Sequence, residues 1–99
     1  MKYILSNEAE NDLENIWLYT FKTWSIEQAD NYLNLIVNQI QYITENPLSG
    51  KDYGKIRKGY FRSKVKSHYI FYKIDSRNKI IQVIRVLHER MDIETQLNE

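Results

Sequence analysis

The first half of the chain has the apolar spacing of two amphipathic helices. A short apolar stretch at Lys2–Leu5 predicts a strand, and Ser6 is a candidate N-cap for a helix whose apolar residues recur every three or four positions as far as Trp24. Ser25–Gln28 has the form of a capping box, and a second apolar stripe runs from there to Pro47. Almost no residues separate the two helices, so they are predicted to form an antiparallel hairpin.

In the second half the apolar period shortens to two residues. Residues 47–59 contain all three glycines and the only proline, which predicts a loop that can include a short irregular strand near Ile56. Three strands are predicted after it, at 60–66, 67–74 and 79–87. The polar residues 89–99 are expected to fray or to form a short helix.

This order of elements, β-α-α-β-β-β, predicts one α+β domain over residues 1–99. Tight connections between the last three strands favour a small antiparallel meander. The helical hairpin has to bury its apolar stripe, and one face of the sheet is the only large apolar surface available to it. Trp17 and Trp24 lie on that stripe and are expected in the core. The other sheet face is expected to stay open.

Charge is distributed unevenly along the 99 residues, although the net charge is only +1. Residues 1–46 have a net charge of −5, and residues 47–74 have a net charge of +7. The acidic residues Glu10, Asp12 and Glu14 are predicted to form a solvated face of the first helix. The basic middle segment is expected to attract polyanions or an acidic protein partner.

The basic residues of the predicted strand at 60–66 are the first candidates for such contacts. Arg62, Lys64 and Lys66 follow the period of a strand and should share one face, where their mutual repulsion favours an anionic partner. Arg57, in a loop beside Gly59, can bind a carboxylate or phosphate through two parallel bonds. The alternative is that these cations only keep a sheet edge soluble.

The two histidines, His68 and His88, allow three interpretations. A metal site is not expected, because the chain has no cysteine and no third ligand at a recognisable spacing. Cleavage of RNA needs a base, an acid and cations over the phosphate, which these residues could supply with Arg62, Tyr69 and Arg85 if all five converge. Otherwise the histidines cap strand ends by hydrogen bonding.

Arg85 interrupts an apolar strand face. A buried charge needs a partner, so Arg85 should either face the open groove, which we favour, or pair with an acid.

Composition also bears on where the protein acts. No apolar run approaches the roughly 20 residues that span a bilayer, and no signal peptide is recognised at the start. The absence of cysteine excludes a disulfide framework and fits a reducing compartment. The expected location is the cytoplasm, without membrane association.

Three segments together resemble the ParE toxins of the RelE/ParE superfamily: residues 5–33, 46–72 and 84–92. The most specific pieces are IRKG at 56–59, SHYIFY at 67–72 and LHERMD at 87–92. The resemblance covers nearly the whole chain. It implies a microbial ribonuclease-like sheet with a helical hairpin, which agrees with the order of elements above.

The resemblance implies the toxin of a type II toxin–antitoxin system, with growth arrest and plasmid stabilisation as its setting. The implied partners are a ParD-like antitoxin with an acidic C-terminal segment, in a hetero-oligomer, and DNA gyrase, whose cleaved DNA complex the toxin would trap. It implies no cofactor and no catalytic residues. Two alternatives stay open: a RelE-like, ribosome-dependent mRNA endonuclease, and a non-toxic binding relic in a regulatory complex.

Two sets of candidate residues follow. The candidates for binding the target or the antitoxin are Arg57, Arg62, Lys64, Lys66 and Arg85. The candidates for a role in activity are His68, Tyr69, His88, Arg90, Met91 and Asp92, of which the last two belong either to a target-facing tail or to its anchor.

Overall fold

The computed structural model describes residues 1–97. It has an α+β fold in which two helices pack on a mixed five-stranded sheet. Its elements are β1 (Lys2–Leu5), α1 (Asn7–Thr23), α2 (Ile26–Glu45), a 3-10 turn (Pro47–Ser49), β2 (Lys51–Asp52), β3 (Phe61–Val65), β4 (His68–Asp75), β5 (Ile80–His88) and α3 (Ile93–Leu97). The predicted fold class is confirmed, and α3 is the short helix expected in the tail; residues 98 and 99 lie outside the described residues.

Both helices begin where the capping residues predict. The Ser6 side chain accepts a hydrogen bond from the backbone N–H of Ala9 at 2.9 Å, and the Ser25 side chain accepts one from Gln28 at 3.1 Å. Each bond satisfies a backbone donor in the first turn of its helix, where no carbonyl is available. The second helix ends at Glu45, directly before Asn46 and Pro47.

The sheet has the strand order β1-β5-β4-β3-β2. The three strands after the loop form the predicted antiparallel meander, and β1 adds to β5 in parallel. We call the sheet face covered by α1 and α2 the near face and the opposite one the far face. The near-face core is lined by Ala9, Leu13, Ile36, Ile40, Ile43, Val65, Ile70, Tyr72, Ile81, Val83 and Val86.

The far face is partly covered, which corrects the expectation that it stays open. Because side chains alternate along a strand, Phe71 and Leu87 point away from the near-face core. They form a second apolar cluster with Tyr60 from the loop and Leu97 from α3. The strand pattern could not predict that this face is covered, because the covering residues come from a loop and from the tail.

A bulge shapes β5 at the point where β1 ends. Phe71 is paired with Arg85 and Tyr72 with Val83, so Ile84 is an extra residue in β5. The pairing of β1 with β5 ends at Val83. Beyond it, the Asp12 carboxylate of α1 accepts a hydrogen bond from the backbone N–H of Val86. The Ser6 hydroxyl donates to the carbonyl of Ile84 at 2.6 Å.

Neither tryptophan lies in a core cluster, so that prediction is wrong. The Trp24 side chain is 74% exposed, because Trp24 lies at the tip of the hairpin, between the two helices. Trp17 is half-buried, stacks on Phe21 with ring centroids 5.3 Å apart, and donates to the Asp30 carboxylate at 2.9 Å. It therefore braces the two helices against each other instead of filling the core.

Candidate interaction sites on the two faces of the sheet

The far face carries a cluster of cations and tyrosine rings. The Arg62 guanidinium lies 4.5 Å from the centre of the Tyr69 ring and 5.2 Å from that of Tyr53. The Lys64 ammonium lies 5.7 Å from the Tyr69 ring. Such contacts orient the cations without neutralising them. We call Arg57, Arg62, Lys64, Lys73, Tyr53, Tyr60 and Tyr69 the cation–tyrosine cluster.

The loop end of this cluster is built around Tyr60. The Arg57 guanidinium and the Lys73 ammonium each lie 5.9 Å from the centre of that ring. Tyr60 is buried, and its backbone carbonyl accepts a hydrogen bond from Tyr53 at 2.8 Å, which fixes the loop against β3. Arg57 is therefore brought to the same face as Arg62, although it lies outside any strand.

Lys64 and Lys66 differ in their environments from what the sequence predicts. Lys64 forms an exposed salt bridge with Glu89 at 2.9 Å, and this hydrogen bond raises the pKa of Lys64 and lowers the pKa of Glu89. Lys66 does not belong to the strand: β3 ends at Val65, and Lys66 adopts a positive φ of 52° in the turn before β4. The prediction of three aligned cations is therefore wrong at Lys66, while Arg62 and Lys64 remain neighbours on the far face.

Arg85 pairs with an acid, and the open groove that we favoured for it is the wrong alternative. Its guanidinium donates to both carboxylate oxygens of Asp12, at 2.8 and 2.9 Å, and it also reaches the backbone carbonyl of Gln96 in α3 at 3.4 Å. Asp12 accepts a third bond from the backbone N–H of Val86 at 2.9 Å. Asp12 is therefore part of the structure and not of a solvated face.

The two histidines lie together on the near face, opposite the cation–tyrosine cluster. His68 and His88 are paired across β4 and β5, and their ring centroids are 5.0 Å apart. His68 Nδ1 shares a 2.5 Å hydrogen bond with the hydroxyl of Tyr32, and His88 Nδ1 accepts a bond from the backbone N–H of Arg90 at 3.1 Å. His88 thus makes a capping bond at the end of β5, as expected, whereas His68 bonds a side chain of α2, and the two rings also contact each other.

Burial and the neighbouring His88 lower the pKa of His68 to about 4. Desolvation also raises the pKa of Tyr32, against which a backbone hydrogen bond from Ser67 acts. At neutral pH both groups are therefore uncharged.

The histidines line a groove of about 850 Å³ between the helical hairpin and the ends of β4 and β5. Arg90 and Met91 also line it, which places these two predicted residues near the histidines. We call this feature the histidine groove. Asp92 has a local role, because its carboxylate accepts hydrogen bonds from the backbone N–H and the hydroxyl of Thr95 at the start of α3.

The five residues that RNA cleavage would need do not converge. The histidines face the near side of the sheet, Arg62 and Tyr69 face the far side, and Arg85 is held by Asp12 at the edge of β5. Within residues 1–97, no group of three or more His, Asp or Glu side chains could hold a metal ion. No helix in that range is long and apolar enough to cross a membrane.

Among the residues of these sites that sequence reasoning missed, Asp12 and Tyr32 had a signal that could have found them. Asp12 is three residues after the buried Ala9 and directly precedes the buried Leu13, so its helical position already pointed toward the sheet. Tyr32 lies within the second apolar stripe, and its ring packs against the near-face core. The hydroxyl of a tyrosine in such a stripe requires a partner, and that requirement was the available signal.

A comparison with solved structures identifies the class of this fold. A structure described as the chromosomal ParDE toxin–antitoxin system of P. aeruginosa superimposes with a TM-score of 0.76 at 18% identity, covering 89% of this chain and 95% of the other. At that identity the match shows the fold alone, which is that of the RelE/ParE toxins.

Sequence comparison then gives the family. Residues 3–93 match the model for the ParE toxin of type II toxin–antitoxin systems, parDE. Toxin ParE1 of Mycobacterium tuberculosis is 38% identical over 96 residues, which is 97% of each chain, and Toxin ParE1 of Caulobacter vibrioides is 37% identical over 95 residues, which is 96% of each. This chain belongs to the ParE toxin family of the RelE/ParE superfamily, as its motifs predicted.

Proposed function

We propose that this protein is a non-enzymatic toxin that poisons DNA gyrase and is neutralised by a protein antitoxin encoded beside it. Membership of the ParE toxin family supports the toxin role, and the ParDE neighbour, described as a toxin–antitoxin system, supports the antitoxin. The observation that favours poisoning over RNA cleavage is the separation of the histidines from Arg62 and Tyr69 by the sheet.

The cation–tyrosine cluster is the proposed contact surface for an acidic partner. Arg57, Arg62 and Lys73 are held over tyrosine rings, and Lys64 is held by the exposed Glu89. An incoming carboxylate or phosphate meets cations that are already oriented, so little side-chain entropy is lost on binding. Glu89 is displaced from Lys64 at small cost, because an exposed ion pair contributes little. Lys66, in the turn after β3, and Arg85, which positions α3 through its bond to Gln96, would contribute less to this surface.

On this proposal the protein binds the cleaved-DNA state of gyrase more tightly than the resting state. A ligand with such a preference raises the population of the state that it favours, without needing a catalytic group. The accumulated breaks would arrest replication, and bound antitoxin would prevent this by occupying the toxin surface.

Induction of the protein in cells tests the proposal. Gyrase poisoning produces DNA breaks and the SOS response while protein synthesis continues, and purified gyrase should accumulate cleaved DNA when the protein is added. Immediate arrest of translation with intact DNA would favour the RelE-like endonuclease, and unaffected growth would favour a non-toxic relic.

A charge-reversed pair of variants locates the surface. Arg62→Glu with Lys64→Glu should abolish the DNA breaks, whereas Arg77→Glu with Lys79→Glu makes the same change of charge in the exposed turn between β4 and β5 and should leave them. If both double variants lost the DNA breaks equally, the activity would depend on the net charge of the protein and not on this surface.

A further inference from the structure

The histidine groove combines two imidazole donors with apolar walls. A backbone hydrogen bond from Ser67 lowers the pKa of Tyr32. We assign the hydroxyl proton of Tyr32 to its bond with His68 Nδ1, which places the proton of the neutral His68 ring on Nε2. His88 Nδ1 accepts from the backbone of Arg90, so the neutral His88 ring is also protonated on Nε2. Both rings thus have one N–H that these bonds leave available.

The charges around the groove favour an anion. Asp12 lines it, but its carboxylate is compensated by Arg85 and by the N–H of Val86. Glu89 lies next to His88 but is paired with Lys64. Arg90 also lines the groove, and its side chain is exposed. Because Asp12, the acid in the lining, is paired with Arg85, the positive charge of Arg90 favours binding of an anion.

The walls favour a particular kind of anion. Apolar and aromatic side chains form part of both walls, namely Ile16, Tyr19 and Trp24 on the helical side and Val86 and Met91 on the opposite side. The Trp24 side chain is 74% exposed and that of Tyr19 is 63% exposed, so both can cover a ligand. A dianionic phosphate would lose more hydration in such a groove than a carboxylate, which has one charge and can be carried on an apolar chain.

We infer that His68, His88 and Arg90 form a binding site for a carboxylate carried on an apolar chain, in which the carboxylate accepts the imidazole N–H bonds and the chain packs on the aromatic wall. The carboxylate can belong to an acidic peptide segment or to a free acid. This site is on the face of the sheet opposite the cation–tyrosine cluster and does not depend on the proposed function.

A bound carboxylate should change the protonation of the site. The titratable groups that face His68 are Asp12 on α1, Tyr32 on α2, His88 at the end of β5 and Glu89 directly after it. A carboxylate added among them stabilises the imidazolium, so the pKa of His68 rises on binding and a proton is taken up. Affinity for the carboxylate should therefore increase as the pH falls.

The test is an NMR titration that follows the ring resonances of both histidines. The probes are 4-phenylbutyrate, its neutral amide, phenyl phosphate, and a short acetylated peptide containing one glutamate between leucines. We expect both carboxylates to shift both histidines, with binding roughly threefold tighter near pH 6 than near pH 7.5. Tighter binding of the peptide assigns the carboxylate to a protein partner, and tighter binding of phenylbutyrate assigns it to a free acid.

Two variants complete the test. Arg90→Gln should weaken the binding of the two carboxylates about fivefold and leave the binding of the amide unchanged. Arg77→Gln, in the distant turn, should change neither affinity. Tyr32→Phe should move the His68 proton between ring nitrogens, which the ring ¹⁵N shifts report directly even if stability changes. The inference is overturned if the amide binds as tightly as the acid, if phenyl phosphate binds more tightly than both carboxylates, or if Arg90→Gln has no effect.

Discussion

At the scale of single residues, three hydrogen bonds hold the carboxylate of Asp12. It accepts two hydrogen bonds from Arg85 and one from the backbone of Val86, and the side chains of Asp12 and Arg85 are only 11% and 16% exposed. A buried, bidentate pair of this kind is strongly destabilising to break, because the remaining charge stays buried. Asp12 therefore joins α1 to the bulged part of β5.

Asp12→Asn should lower the free energy of unfolding by about 3 kcal/mol, because it removes the negative charge from the buried, bidentate ion pair with Arg85. Urea denaturation measures the change. Glu14→Gln, at an exposed position of the same helix, removes the same charge and should cost less than about 0.5 kcal/mol. Equal effects of the two variants would contradict the structural role of Asp12.

His68 should make stability depend on pH. The pKa of its ring falls from an ordinary 6.5 to about 4 in the folded protein, so between these values the unfolded chain binds more protons. Stability should therefore decrease as the pH falls from about 6.5 to 4. The full shift corresponds to about 3 kcal/mol, and the partial exposure of the ring reduces this to about 1–2 kcal/mol.

Chemical denaturation at a series of pH values measures this dependence. His68→Gln should flatten the slope between pH 6.5 and 4 even if it lowers stability overall, because the titrating group is gone. A slope that His68→Gln leaves unchanged would assign the acid sensitivity to other residues.

At the scale of elements, the two N-caps have different duties. Ser25 only caps α2, whereas the Ser6 hydroxyl both accepts from Ala9 and donates to the carbonyl of Ile84 in β5. The first helix is therefore attached to the sheet at its N-cap, directly beyond the point where the pairing of β1 with β5 ends, at Leu5 and Val83.

Ser25→Ala should lower the free energy of unfolding by about 1 kcal/mol, as for a lost N-cap. Ser6→Ala should cost about 2 kcal/mol, because it also leaves the partly buried carbonyl of Ile84 without its donor. Thermal unfolding of the matched pair gives the difference. If Ser6→Ala costs no more than Ser25→Ala, the bond to Ile84 does not contribute to stability.

The tail, which contains α3, also contributes to the packing of the fold. Asp92 caps α3, and Leu97 is buried against the far-face cluster of Tyr60 and Phe71. Removal of the chain after Leu87 would expose that cluster and delete His88, so a loss of toxicity in this truncation would reflect both effects.

At the scale of the whole molecule, the uneven charge becomes a division between layers. Residues 1–46, with their net charge of −5, form β1 and the helical hairpin, while the basic segment supplies the loop, β2, β3 and most of β4. The cations of the far face thus lie on the opposite side of the sheet from most of the acids. Such a separation orients the protein toward an acidic partner.

Association with the antitoxin should therefore weaken with salt. We expect Arg62→Glu with Lys64→Glu to reduce the affinity at least tenfold at low ionic strength, and this loss to shrink as salt screens the exposed charges. Binding isotherms at about 50 mM and 500 mM salt measure both effects. Unchanged affinity at low salt would place the antitoxin elsewhere, and the variant with Arg77→Glu and Lys79→Glu serves as the control.

Local patterns in the sequence were enough to predict the main helices and strands and their order along the chain. The cap residues Ser6 and Ser25, the breaker Pro47 and the change of apolar period act over a few residues, so helix starts, the loop and the meander could be predicted. The motifs at 56–59, 67–72 and 87–92 were likewise sufficient for the family. These signals need no knowledge of which elements meet.

Tertiary structure alone decided which charges are partners and which rings are covered. Whether Arg85 faces solvent or Asp12 depends on two residues 73 positions apart, and the cover of Phe71 by Leu97 depends on how the tail returns to the sheet. Lys66 lies outside β3 because the turn between β3 and β4 has a positive φ at this residue. Pairings between distant residues and the geometry of turns are set by packing of the whole chain, and a local pattern of residue types does not contain them.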